Sequence, residues 1–290
     1  MTSRALIFGS SGQVGLALRA IAPASVDVIA HDLSETNICD ESAVARTLDQ
    51  VRPNIVINCA AFTAVDDAEL RPDEAFSANA EAPGLIAAQA KHRGIRLVHI
   101  STDYVFDGQA HAPYVPAAEV GPINVYGATK LEGERRVLAT SGENVVVRTA
   151  WVHSGTGTNF IKTCVRVLSK GIAMRVVDDQ IGTPTRALHL ARALWRIADR
   201  PSVGGLLHFT DAGVASWYDV ATEVLAAMKA AGGAAETASV IPVGTQEVPR
   251  PARRPQFSVL DKRSSWNTIG YIPPHWREGV VASTSELISL

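Results

Sequence analysis

The chain has 290 residues, 47% of them hydrophobic and 19% charged, enough for a large core and an appended lobe. A formal net charge of -2 with no basic run excludes nucleic acid as the main partner, because phosphate backbones are bound by clustered lysines and arginines. The three cysteines, Cys39, Cys59 and Cys164, are odd in number and far apart, so neither a disulfide framework nor a metal knuckle is expected, and a reducing cytoplasm fits.

Ahead of the first glycine, Ala5 to Phe8 give only four consecutive apolar residues. That is far short of a signal-peptide core or a membrane span, so a soluble, untargeted protein is expected. Arg4 to Phe8 reads as a first strand, and Gly9-Ser-Ser-Gly12-Gln13-Val14-Gly15 leads from it into a helical pattern with Leu16, Leu18 and Ile21. Glycines at a strand-to-helix turn allow tight backbone and leave helix N-terminal amides aimed at a phosphate. The spacing is Gly-x-x-Gly-x-x-Gly. It reads either as a dinucleotide site or as a tight turn without ligand, and the flanking strand and helix favour the first.

Val26 to Ala30 reads as the second strand and ends at His31-Asp32, about 20 residues past the glycines, where an acid takes the ribose hydroxyls of NAD. Asp32 is the candidate, against the alternative of a solvated loop aspartate. No arginine or lysine occupies the glycine turn or the residues just after Asp32, so nothing there receives a 2′-phosphate and NADH is favoured over NADPH. Asp40 is placed to cap a helix running to Val51, and Ile55 to Asn58 reads as a third strand followed by the small residues of Cys59-Ala-Ala61-Phe62-Thr63. Small residues there suit a cofactor lying close, or simple packing.

Glu74 to His92 has helical spacing, Leu97 to Ile100 is a fourth strand, Tyr126 opens the next helix, and Val145 to Thr149 forms a fifth strand ending at Ala150-Trp151. Strands alternating with helices predict a doubly wound, Rossmann-like parallel sheet over residues 1–151. Ser101, Thr102 and Asp103 then sit where the fourth strand opens into a loop, the edge at which such sheets place their chemistry. Four-residue spacing puts Tyr126 and Lys130 on one helix face, one turn apart. An ammonium beside a phenol favours the phenolate, so the pair is expected to bring the tyrosine toward neutrality for acid or base work, with Thr102 bonding the same reacting oxygen. Alone, a Tyr-x-x-x-Lys is equally an ordinary helix pair.

Beyond Trp151 the pattern loosens. Helices are read near 159–169, 187–197 and 217–230, a strand near Met174 to Val177, the turn Gly182-Thr-Pro-Thr185, and two short terminal helices after the Pro- and Arg-rich stretch Val248 to Pro255. Residues 152–290 are taken as mostly a smaller α/β lobe closing over substrate, with room for elements that return to the main sheet. Trp151, one residue past a strand end, either walls a sugar or base with its indole face or belongs to the core. Arg253 and Arg254, between prolines, either clamp a diphosphate or form a solvated pair.

Taken together, Gly9-x-x-Gly12-Gln-Val-Gly15, Asn58-Cys-Ala-Ala-Phe-Thr-Ala-Val-Asp66, Ser101-Thr-Asp-Tyr-Val-Phe-Asp-Gly108, Asn124-Val-Tyr-Gly-x-Thr-Lys130, Arg148-Thr-x-Trp-Val152, Asp179-Gln-x-Gly-x-Pro-Thr185 and Pro251-Ala-Arg-Arg-Pro255 resemble the dTDP-4-dehydrorhamnose reductases, in the extended short-chain dehydrogenase/reductase superfamily. The likeness covers nearly the whole chain. It implies reduction of the 4-keto group of dTDP-4-dehydro-6-deoxy-L-mannose by NAD(P)H, giving dTDP-L-rhamnose. Carried over motif by motif, it implies that Tyr126 donates the proton, Lys130 binds the nicotinamide ribose and tunes the tyrosine, and Thr102 assists. It places Gly12, Gln13, Val14, Asp32, Ala61, Phe62 and Thr63 on the cofactor, Asn37-Ile38 beside the adenine, and Thr102, Asp103 and Trp151 on the sugar nucleotide. Two alternatives stay open: a reductase or epimerase of another nucleotide-linked 4-ketohexose, and a non-catalytic regulatory subunit, which would tolerate loss of the Tyr126, Lys130 and Thr102 set that is present here.

Some members of that family form dimers across a magnesium site, to which a glutamate early in the first helix contributes. The corresponding positions here are Ala17 and, on the helix after Gly-x-Pro-Thr, Leu188, neither of which offers a hard cation an oxygen. No metal is expected, and the chain is expected to be a monomer or a homodimer not bridged by one.

Overall fold

The computed structural model describes residues 3–232 and 236–289. Short apolar runs, too brief for helices, form the six strands of its central sheet: β1 (Ser3–Phe8), β2 (Val26–His31), β3 (Ile55–Asn58), β4 (Arg96–Thr102), β5 (Val145–Thr149) and β6 (Gly205–His208). All pair in parallel, in the spatial order β6-β5-β4-β3-β1-β2. Every residue of β3 and β5 is buried, as a parallel sheet covered on both faces requires. The chain winds one way from β1 to β2 and the other way from β3 onward. The strand order therefore reverses beside β1, and a crevice opens at the carboxyl ends of β1 and β3.

Helices follow in the order α1 (Gln13–Ala20), α2 (Glu41–Val51), α3 (Ala82–His92), α4 (Val125–Thr140), α5 (Phe160–Leu168), α6 (Ala187–Ala198), α7 (Trp217–Ala230) and α8 (Trp276–Ile288). Alternation along the strands sorts the side chains into two layers. Ala5, Ile7, Ile57, Val98 and Val147 meet Leu18 of α1 and Leu190, Leu194 and Ile197 of α6 on one face. Leu6, Phe8, Val56, Leu97 and Val146 meet Val44 and Leu48 of α2, Ile86 of α3 and Val137 of α4 on the other. A separate core joins Ile161 and Leu168 of α5, Val220, Val224 and Met228 of α7, and Trp276 and Val280 of α8. This is the lobe.

Asp40 caps α2 as its sequence predicts, accepting the Ser42 and Ala43 amides at 2.9 and 3.2 Å. One feature differs from the sequence reading and another gives form to an element it allowed for. The helix read over Glu74 to His92 is three pieces: Pro72–Phe76, a π-helical turn at Ser77–Glu81, and α3. The chain also returns from the lobe to give the sheet α6 and an edge strand, β6, whose short Leu206-Leu207 run between glycines and polar residues carries no strand periodicity of its own. The two parts are thus divided in space rather than by one cut in the sequence.

Candidate active site

The crevice is a cavity of about 830 Å³ running from the glycine turn to the lobe. At one end Gly9 turns the chain with a φ of +78°, and a Cβ on Gly15 would lie 2.2 Å from the Gly9 carbonyl oxygen, so only glycine lets α1 seat against the turn. Gly12 is the N-cap of α1. No side chain caps this helix and no acid lies in its first turn. Its leading amides, on Gln13, Val14 and Gly15 along the cavity wall, are therefore free to receive an anion. Past them, Asp32 accepts the amides of Ser11 and Leu33, each at 2.9 Å; the Ser11 hydroxyl holds its carboxyl below the usual carboxylate range. Glu35 brings a second carboxylate beside it, accepting the Asp32 amide at 2.8 Å. Asn37 and Ile38 line the same wall. An uncapped helix start followed by acids at a strand end fits a dinucleotide: diphosphate at the amides, ribose at Asp32.

Ala61, Phe62 and Thr63 form the roof over this channel. Their loop is held by buried Asn79, whose Oδ1 accepts the Phe62 amide at 2.8 Å while its Nδ2 donates to the Phe62 carbonyl at 3.0 Å and to Thr129 Oγ1 at 3.2 Å. Asn79 lies in the π-turn, where one extra residue re-aims the side chain. Periodicity gives no hint of it.

At the middle of the cavity, β4 ends in Thr102 and α4 begins beneath it. Asn124 caps α4 by accepting the Gly127 amide at 2.7 Å, and a Cβ on Gly127 would lie 2.1 Å from the Tyr104 carbonyl oxygen. The glycine of Tyr126-Gly127 thus lets the helix start press on the strand end and bring Tyr126 to Thr102. Tyr104 meets the Tyr126 ring edge-on, with centroids 5.9 Å apart. Thr102 Oγ1 donates to Asp103 Oδ1 at 3.1 Å and accepts the Tyr104 amide at the same distance.

Tyr126, Lys130, Thr102 and Asp103 all line the cavity, but the electrostatics differ from the sequence expectation. Burial pushes the Tyr126 phenol up to about 12, with the Thr102 hydroxyl opposing and the Asp103 carboxylate adding to the rise. Lys130 does not offset this. Its Nζ donates to the Ile100 carbonyl at 2.6 Å and meets His99 Nε2 at 3.2 Å, and burial lowers it to about 8. The amine still carries its proton at neutral pH, and its hydrogen-bonding contacts go to the neighbouring strand. Asp103, 2% exposed, is pushed up to about 7, again chiefly by burial.

Trp151 stands at the far end with a φ of +49°, a backbone state rare for a bulky residue and common at functional sites. Its indole lies parallel to that of Trp217, and Phe160 meets Trp217 edge-on. A Cβ on Gly182 would lie 2.6 Å from the Trp151 ring, which accounts for the glycine of the Gly-Thr-Pro-Thr turn. Gln13 ties the two ends together: its Oε1 accepts Ser154 Oγ at 2.9 Å and Asn159 Nδ2 at 2.8 Å.

The structure thus gathers Gly9, Gly12, Gln13, Val14, Gly15, Asp32, Ala61, Phe62, Thr63, Thr102, Asp103, Tyr126, Lys130 and Trp151 around one cavity. It does not bring Arg253 or Arg254 there. Arg254 is ion-paired with Asp66, and the Arg253 carbonyl accepts Asn124 Nδ2 at 2.8 Å, so this stretch braces the start of α4. Cavity residues that the sequence gives no reason to choose are Trp217, Phe160, Thr149 and His153. Thr149 Oγ1, His153 Nε2 and Asp103 Oδ2 are buried without a hydrogen-bond partner.

Residues 3–288 match the family described as the RmlD substrate binding domain. The chain is 37% identical to dTDP-4-dehydrorhamnose reductase of Escherichia coli (strain K12), the match covering 98% of each chain. It is 40% identical to a probable dTDP-4,6-dihydroxy-2-methyloxan-3-one 4-ketoreductase of Streptomyces antibioticus, over 99% of this chain and 96% of that one. In fold it matches the crystal structure of dTDP-4-dehydrorhamnose reductase from Bacillus anthracis str. Ames in complex with NADP, with a TM-score of 0.90, 33% identity, and coverage of 97% of this chain and 98% of that one.

Proposed function

We infer the reaction from one premise: this chain belongs to the dTDP-4-dehydrorhamnose reductase family. It is an enzyme that reduces the 4-keto group of dTDP-4-dehydro-6-deoxy-L-mannose with a nicotinamide cofactor, giving dTDP-L-rhamnose. The observation that supports this most is the meeting of Tyr126, Thr102 and Asp103 with an uncapped, glycine-lined helix start in one cavity.

In this reading the amides of Gln13 and Val14 hold the cofactor diphosphate, Asp32 its adenosine ribose, and the roof Ala61 to Thr63 its middle. Bound nicotinamide supplies the hydride to C4 of the sugar. The carbonyl oxygen takes its proton from the Tyr126 hydroxyl, and the C=O π bond becomes an O–H and a C–H. A phenol pushed up to about 12 suits a donor, since the hydroxyl is fully protonated at neutral pH while the alkoxide left by hydride addition is more basic still. Thr102 steadies the same oxygen, Asp103 meets the sugar hydroxyls, and the Trp151 face walls the ring. Roles for Arg253 and Arg254 on the diphosphate require Arg254 to leave Asp66.

We favour NADH, because the Asp32 carboxylate lines the cavity at the strand end that reads the adenosine ribose, and a carboxylate there would repel a 2′-phosphate. We place the enzyme in the cytoplasm: Cys39 is exposed and free, which suits a reducing compartment, and no described helix is long and apolar enough to cross a membrane. Purified protein incubated with NADH or NADPH and a panel of dTDP-linked 4-keto sugars, followed by loss of reduced-nicotinamide absorbance, tests the reading. Turnover is expected with the 6-deoxy-L-mannose ketone. Preference for another keto sugar would favour the second reading, a ketoreductase like the Streptomyces relative.

A further inference from the structure

Gln13 opens α1, and its two polar ends serve different parts of the molecule. Its backbone amide is one of those left uncapped along the cavity wall. Its side chain reaches the segment 152–159 instead, which Trp151 precedes and Phe160 follows. Trp151 and Phe160 both pack on Trp217, so this segment is the backing of the aromatic wall.

The lobe fixes the polarity of the contact. Asn159 caps α5 through Oδ1, which accepts the Lys162 amide at 3.0 Å, so its NH₂ faces Gln13 and can only donate. Gln13 therefore presents its carboxamide oxygen, which accepts Asn159 Nδ2 at 2.8 Å and the Ser154 hydroxyl at 2.9 Å, and turns its nitrogen to the Val152 carbonyl at 3.4 Å. Gly157, at a φ of +73°, lies against the stem of the side chain: a Cβ there would be 3.1 Å from Gln13 Cγ. The segment has bonds of its own besides these. The Ser154 hydroxyl also reaches the Thr156 carbonyl at 2.7 Å, Asn159 Nδ2 donates to the Ser154 carbonyl at 2.8 Å, and Glu286 of α8 accepts the Gly155 amide at 3.1 Å while paired with Arg186. What Gln13 adds is attachment. It joins a loop of the lobe, exposed at 156–158, to the helix start of the main sheet.

We propose that Gln13 is a positioning residue that couples the two ends of the cavity: through Ser154 and Asn159 its side chain passes the ordering of the α1 start by a bound dinucleotide to the wall of Trp151, Phe160 and Trp217. Cofactor binding then tightens binding of the nucleotide sugar. Ordering a loop costs conformational entropy, and a loop already ordered by the first ligand is not ordered again for the second. By linkage, the nucleotide sugar tightens cofactor binding by the same factor. The part of this that concerns the sugar rests on the reductase reading; the part that concerns the loop needs only a nicotinamide cofactor.

Hydrogen exchange read by mass spectrometry tests the loop on the full chain, with NADH or NADPH, whichever binds more tightly, as the one ligand. In the unaltered protein, cofactor should slow amide exchange both at the glycine turn and at residues 154–160, by about 5-fold or more, the lower end of usual coupling factors. Gln13→Met keeps the backbone amide and the length of the side chain but has no strong acceptor. It should keep the slowing at the glycine turn, lose it at 154–160, and hold the cofactor dissociation constant within about 3-fold of wild type. KM for the keto sugar that the enzyme accepts should rise about 5-fold or more, with kcat changed less. Slowing at 154–160 that persists in Gln13→Met overturns the proposal, because cofactor would then act on the loop directly, as does its absence from the unaltered protein. An unchanged KM with the slowing lost overturns the coupling to sugar. If Gln13→Met does not fold, the double variant Ser154→Ala, Asn159→Ser decides, since serine also caps a helix: loss of the slowing at 154–160 supports the proposal and its persistence overturns it. Failure of every dTDP-linked keto sugar to turn over would remove the reductase reading and leave the exchange result standing.

Discussion

The indole rings of Trp151 and Trp217 are stacked, 3.7 Å between centroids and 10° from parallel, although one follows β5 of the main sheet by two residues and the other opens α7 of the lobe. The contact joins the two parts of the molecule at the cavity wall. Trp151 makes this contact from a positive φ that a bulky residue rarely adopts.

Trp217→Ala should therefore weaken the sugar-nucleotide end of the site and spare the other. Loss of a stacked pair worth about 0.5 to 1.5 kcal/mol, with loosening of Trp151, predicts a KM for the keto sugar about 10-fold higher and nearly unchanged cofactor affinity. Steady-state kinetics with a fluorescence titration of reduced cofactor separate the two. An equal loss of both affinities would mean that the lobe had come apart.

Tyr126→Phe removes only a hydroxyl, so fold and cofactor affinity should persist while turnover falls by roughly 100-fold or more, the usual scale for a general acid. A variant that keeps most of its kcat would show that the proton comes from elsewhere, and Asp103, a carboxyl of the cavity with a proton available near neutrality, would be the next candidate.

What was legible in the sequence is what adjacent residues settle. The glycine turn, Asp32, and Thr102 with Tyr126 and Lys130 each lie at a strand end or on one helix turn, so periodicity and spacing locate them. Trp217 and Phe160 escaped because their place depends on how the lobe folds back, which no local pattern encodes. The charge of Lys130 escaped for a different reason. Helical spacing puts it near Tyr126, but its amine is directed by Ile100 and His99 on a neighbouring strand, and burial of the phenol itself sets the direction in which Tyr126 moves. The π-turn that carries Asn79 breaks the helix phase without any glycine or proline inside it to mark the site.

Asp32→Ser should shift cofactor choice. Removing the carboxylate leaves the Ser11 amide without its acceptor and removes a charge that repels a 2′-phosphate, so kcat/KM with NADPH should rise about 10-fold relative to NADH, roughly the effect of one unfavourable charge contact. A strong preference of the unaltered enzyme for NADPH would mean that Asp32 does not meet the ribose.

Activity and elution volume should be the same with excess chelator as without it. Ala17 packs among the apolar side chains under the sheet, Leu188 offers no oxygen, and hydride transfer with a tyrosine donor calls for no Lewis acid. A chelator-sensitive rate restored by magnesium would show a cation site built from other residues.

Asp103→Asn should raise stability in a pH-dependent way. Burial raises the Asp103 carboxyl from its ordinary 3.8 to about 7, so between those values the folded protein holds a proton that the unfolded chain has released. The folded state then binds more protons, and stability falls as pH rises through that window. At pH 8 both states are ionised and the full cost of the buried charge is present, on the order of 4 kcal/mol at about 1.36 kcal/mol per unit. Asparagine keeps the shape and an acceptor for Thr102 but carries no charge, as the protonated acid does not. The Tm of Asp103→Asn should exceed that of the wild type at pH 8, and the gap should close as pH falls from 7 toward 4. A gap that is the same at pH 5 and pH 8 would mean that the carboxyl is ionised across the range and that Asp103 keeps its charge beside the donor phenol.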